Sequence, residues 1–277
     1  MNQRWCQRFL LTAAMGVLAC GVASADFMSG FEPPLYVGSA EGTLLTGQDE
    51  WYNPVEGSAD YLTFTYAGNA YGFPDNPGGG DAQFVAGMSE GGSAYGRAQR
   101  DVDFSVRDEW TIVFDVAAKY LGTPPAGDYL GSFSLQPSAT NSYFQTLNIW
   151  HDLNDPGLWY SNYITQEFAA PGTSPGPEWQ NLSPDHWYRQ WTTFRLSDLL
   201  ILKVGITDLH TGETTTLSDP GWHLIPGNLD VPTGVRFFSG GTVAGNTQAW
   251  DNLGIVPEPA SLSLLGLAGL MALRRRR

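Results

Sequence analysis

Residues 110–116 read W-T-I-V-F-D-V. Alternation of period two puts Trp110, Ile112, Phe114 and Val116 on one face of a strand. β-Branched and aromatic side chains suit such a pleated, half-buried surface. The pattern recurs at 61–66 (Y-L-T-F-T-Y), 129–135, 143–150, 187–196 and 200–209. It recurs again at 213–217, after a Thr211-Gly212 turn, and at 235–238 and 249–256. No window between residues 26 and 257 offers an amphipathic helix, and scattered Gly and Pro supply turns. The pattern predicts an all-β fold of about ten to thirteen strands in a two-sheet jelly-roll sandwich. Residues 26–256 suffice for one large domain. The loops at 75–81 (D-N-P-G-G-G-D) and 171–177 (P-G-T-S-P-G-P) do not divide it.

Both ends are targeting segments. Arg4 and Arg8, the apolar run 9–22 and Ala23-Ser24-Ala25 predict a signal peptide over residues 1–25. A competing lipoprotein reading would use Cys20, but Leu18 fits that motif poorly. Both cysteines, Cys6 and Cys20, fall in this segment, so the mature body is expected to hold no disulfide, thiolate metal site or thiol nucleophile. At the other end Pro257, Glu258 and Pro259 are followed by an uncharged stretch, 260–273, and four arginines, 274–277. Fourteen residues in a helix span ~21 Å, short of the ~30 Å hydrocarbon core. Terminal arginines such as Arg274 and Arg275 can snorkel on the cytoplasmic side. A plain membrane anchor is one reading of residues 257–277.

The triplet, the short apolar helix and the arginine cluster closely resemble the PEP-CTERM sorting signal. That resemblance implies export through the Sec translocon, transient anchoring in the inner membrane and processing by an exosortase. The destination it implies is the cell surface, outer membrane or extracellular matrix of a Gram-negative bacterium.

Between the two segments 8 basic side chains face 27 acidic ones, a net charge of −19. Such a body repels nucleic acid and anionic lipid, and suits neutral polymers or divalent cations. The body also carries F-M-S-G-F-E at 27–32, H-W-Y-R at 186–189, I-T-D-L-H-T-G-E at 206–213 and A-W-D-N-L-G-I at 249–255. These resemble the concanavalin A-like (laminin G-like) jelly roll of secreted PEP-CTERM proteins. The resemblance implies that first and last strands pair near one edge, with Phe31 close to Asp251.

Catalytic signals are weak. A glycosidase needs two carboxylates across the scissile bond, and the E-x-D-x-x-E strand motif of jelly-roll glucanases is absent. Asp101 and Asp103 read as a solvated face. His151, His186, His210 and His223 lack H-x-H or H-x-x-x-H spacing, although a metal site assembled by the fold stays open. Structural calcium, which takes oxygen ligands from loops, is the candidate cofactor. One candidate site is the turn with Asp152, Asn154 and Asp155. The other, implied by the jelly-roll resemblance, pairs Glu32 with Asp251. Trp150, Trp159, Trp179 and Trp187 are candidates for stacking on sugar rings, with core packing as their ordinary alternative. The expected function is a non-catalytic, surface-sorted protein associated with extracellular matrix or exopolysaccharide, through carbohydrate binding. The alternatives are a glycoside hydrolase or polysaccharide lyase on the same fold, and a protein-binding adhesin.

Overall fold

The computed structural model describes residues 27–258 except 57, 80, 81, 92–94, 124–126, 137–144, 153, 156, 170, 171 and 227–230. The signal peptide over 1–25 and the sorting helix lie outside the described residues, as do Pro259, Arg274 and Arg275. The early strands are β1 (Phe27–Ser29), β2 (Thr43–Leu44), β3 (Ala59–Asp60), β4 (Leu62–Thr65), β5 (Gln83–Glu90) and β6 (Gly96–Asp101). The middle ones are β7 (Glu109–Tyr120), β8 (Tyr129–Gln136), β9 (Gln145–His151) and β10 (Trp159–Ile164). Last come β11 (Tyr188–Arg195), β12 (Leu200–Asp208), β13 (Thr214–His223), β14 (Gly234–Ser239) and β15 (Ala244–Pro257). Two short 3-10 turns, Phe104–Val106 and Pro177–Trp179, are the only helical elements among the described residues.

The strands form an all-β jelly-roll sandwich. One sheet has nine strands in the order β13-β12-β11-β7-β15-β5-β4-β2, with β1 also bonded to β15. The other has six, in the order β10-β9-β8-β14-β6-β3. First and last strands do pair, Met28 opposite Gly254, but in the interior of the large sheet rather than near an edge. A register shift in β15 between Asp251 and Gly254 explains this: β5 pairs with its first half and β1 with Leu253–Ile255.

The core between the sheets is aromatic. Trp110, Ile112, Phe114 and Val116 all point into it, as their alternation predicts. At its centre Trp51, Phe237 and Trp250 stack in one column, 4.9 Å between successive ring centroids and within 15° of parallel. A second apolar cluster sits on the opposite face of the large sheet. Phe84, Ala86, Ala117, Trp187 and Ala249 are packed there under Tyr66 and Phe73. β5 therefore buries both faces: Val85 enters the sandwich, while Phe84 and Ala86 lie under the overlying loop.

Candidate functional site

Three clusters of polar chemistry emerge from this frame. The first lies beside the outer apolar cluster of the large sheet. Cross-strand register puts Arg189 on β11 opposite Asp115 on β7, and Asp115 opposite Asp251 on β15. Both carboxylates are fully buried. Arg189 donates to Asp115 through Nε and a terminal nitrogen, at 2.7 and 2.9 Å. Asn76 donates to both acids, at 2.8 and 3.1 Å, and Asn252 to Asp115 at 2.9 Å. Tyr66 Oη donates to Asp251 at 2.7 Å. Burial, with the Asp115 charge adding to it, pushes the Asp251 carboxyl up to about 8. One guanidinium thus answers two buried acids, and the second is held largely neutral. The cluster clamps the loop carrying Tyr66 and Asn76 onto the sheet.

The second cluster covers the outer face of the six-stranded sheet. Val235 and Phe237 of β14, Phe133 and Leu135 of β8 and Ala98 of β6 face the core. Their alternates face away. These include Gln99, Ser132, Ser134, Gln136, Asn162 and Arg236, all of them buried. Arg236 donates to Gln99 Oε1 at 2.6 and 2.9 Å, and Gln99 Nε2 donates to Tyr52 Oη at 2.7 Å. Beside this polar floor runs a band of half-buried rings. Phe238 lies 5.1 Å from Tyr95 and 5.9 Å from Tyr129. The Arg97 guanidinium lies over Phe238 and Tyr95, at 5.1 and 5.5 Å. Tyr160 of β10 continues the row, because it pairs with Trp150, which pairs with Tyr129. The backbone of Trp150 is on this row; its side chain lies outside the described residues.

The third cluster joins two motifs that are distant in sequence. His186 of H-W-Y-R and Asp208 and His210 of I-T-D-L-H-T-G-E meet where β11 begins and β12 ends.

The residues singled out from sequence fall differently. Trp159, Trp179 and Trp187 are at most 1% exposed, so they are corrected from sugar-stacking candidates to core residues. Trp159 and Trp179 pack in the sandwich core and Trp187 in the outer apolar cluster, and Trp187 Nε1 and Trp159 Nε1 are spent on the carbonyls of Pro74 and Ser183. Glu32 and Asp251 make separate bonds. Glu32 Oε1 accepts the N–H groups of Ala82 and Gln83 at 2.7 and 2.8 Å, while Asp251 serves the Asp115 cluster. Asp152 is buried and its Oδ1 accepts the N–H groups of Asn154 and Asp155, a turn-closing arrangement. Asn154 and Asp155 are exposed beside it. Asp101 accepts from Tyr52, and Asp103 caps the first 3-10 turn through Ser105. Pro257 is the last residue of β15, opposite Trp110. Glu258 still belongs to the fold: its N–H donates to Glu109 O at 3.0 Å and its carboxylate accepts from Thr111 Oγ1. The first two residues of the triplet, Pro257 and Glu258, are therefore bonded to the large sheet.

The match at this end is direct. Residues 256–277 are a PEP-CTERM protein-sorting motif. The motif marks export and surface or membrane sorting in Gram-negative bacteria. Known structures resemble the body of this chain. The conserved carbohydrate esterase of the Shiga toxin-encoding bacteriophage phi24B is 12% identical with a TM-score of 0.55, over 85% of this chain and 99% of its own. The CBM2 module of the evolved Dit of Lactobacillus casei BL23 phage J-1 is 14% identical, TM-score 0.46, over 84% and 96%. Peanut lectin is 14% identical, TM-score 0.41, over 72% and 98%. At these identities the likeness is one of fold. No curated protein sequence matches the chain.

Proposed function

We propose that this is an exported, exosortase-processed surface protein that binds extracellular polysaccharide on the outer face of its six-stranded sheet. The observation that carries the reading is the row of half-buried rings Tyr95, Phe238, Tyr129 and Tyr160, with the Arg97 guanidinium lying over Tyr95 and Phe238. Rings offer flat apolar surface to the C–H faces of sugars, and a few fixed polar groups choose among hydroxyls. The sorting motif, which marks export, supports an extracellular setting for such a face. The body's acidity agrees with a glycan partner and opposes nucleic acid.

Affinity electrophoresis of the purified chain against neutral and acidic exopolysaccharides tests the face. Phe238→Ala and Tyr129→Ala should each weaken retardation by about tenfold, equivalent to about 1.4 kcal/mol. Trp179→Phe, inside the core, should leave it unchanged at a temperature where all variants stay folded. Equal retardation of wild type and the Phe238→Ala, Tyr129→Ala double variant would refute this binding face. A rise in reducing ends during incubation would favour the hydrolase or lyase reading.

Processing is tested separately. The intact mass of protein extracted from the cell surface should correspond to cleavage near Pro257, Glu258 or Pro259. Surface protein that still ends in Arg277 contradicts exosortase processing and leaves the plain anchor.

A further inference from the structure

The His186–Asp208–His210 cluster is used by neither the sorting motif nor the proposed glycan face. One donor atom from each residue lies within 4.8 Å of the others. His186 Nδ1 is 2.9 Å from Asp208 Oδ2. Asp208 is itself fixed: its Oδ1 accepts the backbone N–H groups of His210 and Thr211 at 2.8 and 3.3 Å. Hydrogen bonding of Nδ1 to the Asp208 carboxylate favours the tautomer with the proton on Nδ1. That leaves the lone pair on Nε2 of His186. A carboxylate bound to one imidazole nitrogen while the other faces a cation is how protein metal sites orient a histidine ligand.

The second ring is already close. His210 stacks on His186 with centroids 4.3 Å apart and planes 9° from parallel. In-plane lone pairs of parallel rings run side by side rather than converging. His210 is exposed and stands on the turn after β12, so rotation about its Cβ–Cγ bond is open to it. Such a rotation has to bring the two ring nitrogens within the ~3–4 Å that two metal–nitrogen bonds of about 2.0–2.1 Å can span. Beside the cluster opens a groove of about 520 Å³, lined by Asp208, Glu213, Glu178 and Tyr188. It leaves room for water or a further oxygen donor to complete the coordination.

The geometry points to a surface site for a divalent transition metal, Zn²⁺ or Cu²⁺, ligated by His186 and His210 and oriented by Asp208. Imidazole donors favour these ions over Ca²⁺ or Mg²⁺, which take oxygen.

The test is isothermal titration of the untagged full chain, in mild detergent, with ZnCl₂ at pH 7.5 in the presence of 2 mM CaCl₂. One equivalent should bind. His186→Ala and His210→Ala should each weaken it at least about tenfold, and Asp208→Asn should weaken it less. Cobalt substitution should give visible absorption bands in wild type that both histidine variants lose. Affinity should fall as pH drops below about 6.5, where free histidine protonates. His210→Ala guards against a folding artefact, because its side chain is exposed; its circular dichroism should match wild type. Undiminished Zn²⁺ binding in the His186→Ala, His210→Ala double variant would overturn the site, as would absence of binding by wild type.

Discussion

Replacing Asp251 with asparagine is expected to abolish a fall in stability that the wild-type protein shows between about pH 4 and pH 8. The sign follows from linkage. Burial raises the Asp251 carboxyl to about 8 in the fold, against about 3.9 in the unfolded chain. Between these values the folded state holds a proton that the unfolded state has released, so stability falls as pH rises. The contribution is fully present below about pH 4 and gone once pH passes the folded value. Asparagine is always neutral and keeps an oxygen for the Asn252 N–H, now 2.8 Å from Oδ1. Chemical denaturation at pH 5 and pH 8.5 reads the effect as a difference of differences. The wild-type drop should exceed the Asp251→Asn drop by several kcal/mol, a fold larger than any exposed acid could give. Parallel curves for the two proteins would mean that Asp251 is ionised in the fold.

The second large effect is in the aromatic column. Trp250→Ala removes the end ring of the Trp51–Phe237–Trp250 stack and leaves a cavity against Phe114 and Phe133. A buried tryptophan cut to alanine costs about 3–5 kcal/mol, a large part of the ~5–15 kcal/mol that holds an ordinary domain together. Urea midpoints should shift accordingly, with Trp250→Phe recovering much of the loss. An alanine variant within about 1 kcal/mol of wild type would show that the column is loosely packed.

The sequence pattern exposed most of the fold because many strands carry their large apolar side chains on one face. Residues 110–116 alternate, and β7 points those same four apolar side chains inward. β5 escaped notice because F-V-A buries both faces, under the outer loop on one side and in the sandwich on the other. β6, G-R-A-Q-R-D, hid for the opposite reason: Arg97 and Gln99 belong to the polar outer face, leaving Ala98 as its inward apolar residue. The candidate binding residues were less legible. Tyr95, Tyr129, Tyr160 and Phe238 come from different parts of the chain, and only strand order and register align them. The tryptophans drew attention by size, which is the property that fits them for the core. His186 and His210 are likewise joined only by the pairing of β11 with β12.

The place of β15 bears on how the molecule is made. It is the last strand of the chain, yet its neighbours β7, β5 and β1 were all synthesised earlier and flank it on both sides. Secretion runs from the N-terminus, so the large sheet keeps an open slot until nearly the entire body has crossed the membrane. Its two halves cannot join, and the Trp250 end of the column stays empty, until residues 244–257 arrive. Closure therefore depends on long-range pairing such as Phe27 with Ile255, the slow class of folding event. The segment that follows at once is the apolar tail. On the proposed anchoring by that tail, the closing strand would lie next to the bilayer, and completion of transport and completion of the fold would be nearly simultaneous. Under the proposed exosortase processing, release at the Pro-Glu-Pro junction would follow the seating of the strand and free a domain that is already locked.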